Sequence, residues 1–146
     1  MIIKKEDYVM DVDIEQTKGY YTSNLLCDCP SCRNYYTQVK NNFRLLNHFL
    51  LELGVDIARP DELCGVESDN KIKYLFATYT VFGKILEFDQ YEIDLFEDSG
   101  DVSLVINNFC DMGEQKTSCF VITVYNVALP WVLNESFKSC SNQKHR

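Results

Sequence analysis

Hydrophobic spacing divides the chain into a helical stretch followed by a run of short two-residue-period segments. Tyr35, Tyr36, Val39, Phe43, Leu46, Phe49, Leu50 and Leu53 recur mostly at steps of three and four. Arg33, Gln38, Lys40, Asn41, Arg44 and Glu52 fall between them. That is one apolar stripe, and it predicts a single amphipathic helix over 31–53. Pro30 and Ser31 suit its start. Gly54 sits where a left-handed terminal residue belongs, with Val55 placed for the hydrophobic contact that goes with it.

Elsewhere the period is two. Tyr8, Met10, Val12 and Ile14 alternate with Val9, Asp11 and Asp13, which predicts a half-buried strand over 7–14. Residues 15–26 show no period, and Gly19, Ser23 and Asn24 mark a connector with at most a short helical turn. A second connector covers 55–70. Beyond it, 71–81 and 84–88 read as strands joined near Phe82-Gly83. The segments 91–97 and 102–109 flank the turn Asp98-Ser99-Gly100-Asp101, and 118–127 is a further strand before Pro130-Trp131 breaks the pattern. One long helix and consecutive short strands predict an α+β fold, with the helix packed on a mainly antiparallel sheet. Residues 1–133 would form a single domain and 134–146 a polar, mobile tail.

Composition narrows the function classes. Of 146 residues, 46% are hydrophobic, enough for a sizeable core. The formal net charge of −8 argues against nucleic-acid binding, which needs clustered Lys and Arg. It favours a basic protein as any partner. No run approaches the apolar length of a membrane span, and the first residues lack the apolar core of a signal peptide. Seven cysteines, an odd number, fit a reducing cytosol better than a disulfide framework. The expected compartment is cytoplasmic.

The chemistry is concentrated in Cys27-Asp28-Cys29-Pro30-Ser31-Cys32, three thiols at the mouth of the expected helix. The C-x2-C part puts two sulfurs on one tight turn, and Cys27 can add a third from the same extended segment. Backbone N–H groups at a helix start favour thiolates. A structural zinc takes four ligands, and the fourth is not in the loop. His48 lies sixteen residues beyond Cys32, about 24 Å along a helix at 1.5 Å per residue, which is too far. Cys64 from the connector is the expected fourth ligand, with Cys110 and Cys119 as alternatives. The redox alternative uses Cys29 and Cys32 as a C-P-x-C pair resembling the active site of glutaredoxin-like proteins, although no βαβ unit surrounds it.

A second feature is acidic. Glu87, Asp89, Glu92, Asp94, Glu97, Asp98 and Asp101 fall within fifteen residues that contain no Lys or Arg. Glu87, Asp89, Glu92 and Asp94 would form a docking surface for a basic partner, as in acidic inhibitor or immunity proteins. The chain contains no P-loop, G-x-S-x-G or H-E-x-x-H, and no visible Ser-His or Cys-His pairing, so no enzymatic activity is expected.

Three segments together resemble an uncharacterised family of small bacterial proteins. They are Cys27-x-Cys29-x2-Cys32-Arg33-Asn34-Tyr35, then Leu53-Gly54-Val55-Asp56 with Pro60-Asp61-Glu62, then Pro130-Trp131-Val132-Leu133. The resemblance spans 27–133. It implies one domain and no established activity.

Overall fold

In the computed structural model, which describes residues 1–108 and 118–138, strands β1 (Ile2–Lys5) and β2 (Tyr8–Val12) come first. Three helices follow: α1 (Ile14–Ser23), α2 (Pro30–Asn42) and α3 (Arg44–Leu51). The remaining strands are β3 (Glu62–Ser68), β4 (Lys71–Glu87), β5 (Ile93–Glu97), β6 (Gly100–Asn107) and β7 (Cys119–Pro130). The seven strands form one sheet in the order β1-β2-β4-β7-β6-β5, with β3 also pairing β4, and every pairing is antiparallel. The fold is α+β, as the periodicity predicts. No helix among the described residues is long and apolar enough to cross a membrane.

The long strand β4 sets the plan. One of its edges pairs with β7 along most of its length. The other edge is shared: β3 takes Lys71 to Thr78 and β2 takes Gly83 to Glu87. The backbone left between them must find other partners, because unpaired buried amides and carbonyls are costly. Asp13 and α1 supply them. Thr17 Oγ1 accepts from the Phe82 N–H at 3.0 Å, the Tyr21 hydroxyl donates to the Thr80 carbonyl at 2.7 Å, and the Asp13 N–H donates to the Phe82 carbonyl at 2.8 Å. A helix thus fills a gap in a sheet edge with side-chain hydrogen bonds.

This role explains why periodicity misses α1. Only Thr17 and Tyr21 of it are buried, and its start is fixed by the Asp13 carboxylate accepting from the Gln16 N–H at 3.0 Å. There is no apolar stripe to detect. β1 and β3 are likewise additional to the predicted strands. In β3 the buried inner positions are Leu63 and Gly65, a pattern too short to read as alternation. The expected strands 71–81 and 84–88 are one strand, because Gly83 at φ +144° carries the chain past the Asp11 carbonyl, where a Cβ would lie 2.1 Å away.

The single long helix is corrected to two. Phe43, at φ −126° and ψ 71°, separates α2 from α3 while keeping its own side chain buried. Asn41 and Asn42, both weak helix formers, precede the break. The amides that the break exposes, Leu45 and Leu46 N–H, donate to the Glu97 carboxylate at 3.0 and 2.6 Å. At the far end the expected cap is present. Gly54 has φ +87°, and the Val55 N–H reaches back to the Leu50 carbonyl at 3.0 Å.

The core lies between the helices and one face of the sheet. Buried tyrosines tie the two layers: the Tyr35 and Tyr79 hydroxyls bond at 2.6 Å, and the Tyr35 and Tyr74 rings meet edge to face at 5.0 Å. Of the expected tail, residues 134–138 are described, and Glu135 and Phe137 make the contacts given below. Residues 109, 110 and 139–146, on which part of a predicted strand, one alternative ligand and the rest of the tail fall, lie outside the described residues.

Candidate metal centre

The segment after α1 runs extended into Cys29, which takes the N-cap position of α2 with φ −74° and ψ 157°. Pro30 follows as the first helical residue, where its missing N–H costs nothing and its fixed φ suits the helix. Cys29 makes no side-chain capping bond.

The three sulfurs all lie within 4.8 Å of one another. Thiolates around a tetrahedral zinc, with Zn–S bonds of about 2.3 Å, sit about 3.8 Å apart. A contraction of roughly an ångström or less therefore turns this grouping into a coordination set. Cys32 is buried, and Cys27 and Cys29 are half-buried, so an ion there is enclosed from the helix side and reachable from the loop side.

The electrostatics suit a cation. The Cys32 thiol is pushed well above the ordinary thiol range, first by its hydrogen bond to Cys29, then by burial, then by charge on Cys29 and Cys27. Three mutually close sulfurs cannot all ionise on their own, and a bound divalent cation removes that conflict by replacing protons.

Residues around the loop hold it in place. The Tyr36 hydroxyl donates to the Cys27 carbonyl at 3.0 Å, and Tyr74 donates to the Ser31 carbonyl at 2.6 Å. Burial drives both phenol groups well above their usual range or to its upper end: Tyr74 is pushed up to about 12, and Tyr36 further. They remain donors at any ordinary pH. Arg33 Nε donates to the Asp28 carbonyl at 2.9 Å, inside the cysteine loop itself. β3 runs close beneath: a Cβ on Gly65 would meet Ser31 Oγ at 2.9 Å and the Tyr74 ring at 3.0 Å.

Cys64 is not brought into the three-sulfur group. It is half-buried on β3, whose pairing with β4 shifts register between Cys64 and Gly65. Of the alternatives, Cys119 is disulfide-bonded and offers no thiolate. Cys110 lies outside the described residues. His48 is on α3, beyond the break at Phe43, and is not a member of the group.

The acidic residues separate into different settings. Asp89, Glu92 and Asp94 line a surface hollow of about 690 Å³ together with Tyr8, Tyr91 and Val105. Asp89 also shapes the local chain by accepting from the Asp7 and Tyr91 N–H groups at 3.2 and 3.1 Å. Glu87, at the end of β4, is exposed but not part of that lining. Glu97, in the same acidic stretch of sequence, is buried and accepts from the Leu45 and Leu46 N–H groups of α3.

Sequence reasoning missed the residues that tie the loop to the rest of the molecule. The Arg33 guanidinium makes a two-pronged pair with Glu135, at 2.7 and 3.0 Å. Asn34, fully buried, donates to the Pro130 carbonyl at 3.1 Å and accepts from the Val132 N–H at 2.9 Å. Trp131 Nε1–H donates to the Glu135 carbonyl at 2.7 Å, and its ring meets Phe137 edge to face at 5.7 Å. A signal existed: Arg33, Asn34, Pro130 and Val132 all lie in the cysteine-loop and Pro-Trp segments of the sequence. Two of those segments meet here.

No family model, no curated protein and no solved structure matches the chain.

Proposed function

We propose that this protein is a non-enzymatic zinc-binding protein that uses Cys27, Cys29 and Cys32 as metal ligands and meets a basic protein partner through its acidic surface. The observation that supports the metal reading is the mutual approach of three sulfurs to within 4.8 Å at a helix start. Thiolate donors select zinc or another soft ion over magnesium or calcium. The ion ties the extended segment ahead of α2 to the helix itself, and the fourth position goes to solvent or to a donor outside the group. The partner reading draws on the hollow lined by Asp89, Glu92 and Asp94 together with the exposed ring of Tyr91. Exposed aromatics among acidic groups suit a partner with Lys and Arg.

The test is metal content of the chain purified under reducing conditions without chelator, alongside a Cys29→Ser, Cys32→Ser double variant. About one zinc per chain, lost in the variant, is the expected result. A metal-free parent that also fails to take up added zinc would sink the reading.

One observation favours a second reading, thiol oxidoreduction or redox sensing by Cys29 and Cys32. Cys29 is the N-cap of α2 with Cys32 three residues on, and backbone N–H groups at a helix start favour a thiolate. Alkylation separates the two: a zinc site reacts slowly until chelator is added, whereas a redox pair offers one fast thiol with or without it.

A further inference from the structure

The residues carrying the cysteine group also carry the C-terminal segment, and one side chain touches both. Arg33 follows Cys32 directly in the first turn of α2. Its Nε donates to the carbonyl of Asp28, the residue between Cys27 and Cys29, at 2.9 Å. Its Nη1 and Nη2 hold the two oxygens of Glu135. The planar fork leaves the guanidinium little freedom to keep one set of bonds while its frame shifts under the other. Asn34, the next residue, fastens the same segment through Pro130 and Val132, and Gln38 one turn later donates to the Pro130 carbonyl at 2.7 Å. The first turn of α2 is thus a common support for the sulfurs on one side and for residues 130–137 on the other.

We propose that metal occupancy of the cysteine loop and docking of the 130–137 strap are coupled equilibria, linked through Arg33; this rests on the metal-binding reading above. A metal drawing Cys27 and Cys29 toward Cys32 fixes the Asp28 peptide between them. A fixed Asp28 carbonyl fixes the Arg33 plane, and the Arg33 plane sets where Glu135 docks. Coupling of this kind is reciprocal, so a strap that cannot dock weakens the metal site by the same factor that the metal favours docking. Arg33 is here a positioning residue that acts through the loop backbone without touching the ion.

The strap reports on itself. Trp131 is the one tryptophan of the chain, and it sits between the Glu135 carbonyl and the Phe137 ring. The experiment is a zinc titration of the full reduced chain, followed both by Trp131 emission and by competition with a chromophoric chelator. It is run on the parent, on Glu135→Gln and on Glu52→Gln, a control that removes the carboxylate paired with Lys5 away from the loop. Zinc is expected to shift the parent's Trp131 emission toward shorter wavelength. Glu135→Gln should bind zinc at least about fivefold more weakly, with a smaller emission change, while Glu52→Gln matches the parent. Zinc binding that leaves Trp131 emission unchanged, with equal affinity in Glu135→Gln, would overturn the coupling and leave the metal reading intact. A parent that fails to compete with the chelator overturns both.

Discussion

At the scale of single residues, Asp61 departs from ordinary surface chemistry. It lies just ahead of β3, largely buried, and accepts from the Tyr20 hydroxyl and, at 2.6 Å, from the Thr80 hydroxyl. It also accepts from the Thr80 backbone. No cation is paired with it among the described residues. Burial raises its carboxyl above the usual 3.8, and the bonds from Thr80 and Tyr20 offset only part of that rise. A carboxyl raised in the folded state contributes stability that is fully present below its unfolded value and is lost as pH climbs through the folded one. Replacing Asp61 by Asn removes that dependence. The stability of Asp61→Asn relative to the parent should therefore improve as pH climbs from the unfolded value of 3.8 and level off once it passes the folded one, read from denaturant midpoints at three pH values. A difference independent of pH would show that Asp61 is not held as a buried charge. Tyr20, raised far above its usual range mainly by burial, stays a donor throughout and does not confuse the comparison.

At the scale of elements, the break at Phe43 shows what a sequence pattern can and cannot reveal. The apolar positions Val39, Phe43, Leu46 and Leu50 keep helical spacing through the break, so periodicity alone reads one helix. What makes two helices stable is Glu97, fifty-one residues beyond Leu46, whose carboxylate satisfies the amides opened at the start of α3. Replacing Glu97 by Ala leaves those amides without their acceptor and should cost about 1–2 kcal/mol, on the scale of lost helix caps. Urea unfolding checks this, and a loss under a few tenths of a kcal/mol would mean that the cap is dispensable. The same reasoning separates the legible elements from the hidden ones. The helix end at Gly54, the turn before Gly100 and the strands of the second half were legible because local residues specify them. α1 and β3 were not, since each is shaped by an edge of β4 that sequence spacing does not reveal. The cysteine loop was legible as a group of three because its spacing is local. Cys64, expected as a fourth member, is not among the three close sulfurs, and its distance from the loop depends on β3, which the sequence spacing did not show.

At the scale of the whole molecule, two places carry different chemistry. The start of α2 carries the cysteine loop with residues 130–137 fastened to it, and a hollow beside β5 and β6 is lined by Asp89, Glu92 and Asp94. On the proposed reading, a chain of net charge −8 attracts cations at two chemically different places. Soft divalent ions go to sulfur, and Lys or Arg side chains go to carboxylate. The account gives the metal a structural part, so its removal should be felt in stability. Free zinc at a hundredfold excess over its dissociation constant adds about 2.7 kcal/mol to the folded state. The central claim is that three sulfurs of one loop form a coordination shell. X-ray absorption at the zinc edge of the metal-loaded, reduced chain tests it most directly. The account predicts three sulfurs at about 2.3 Å, falling to two in Cys27→Ser. A first shell of nitrogen and oxygen alone, or a sulfur count unchanged by that substitution, would contradict it.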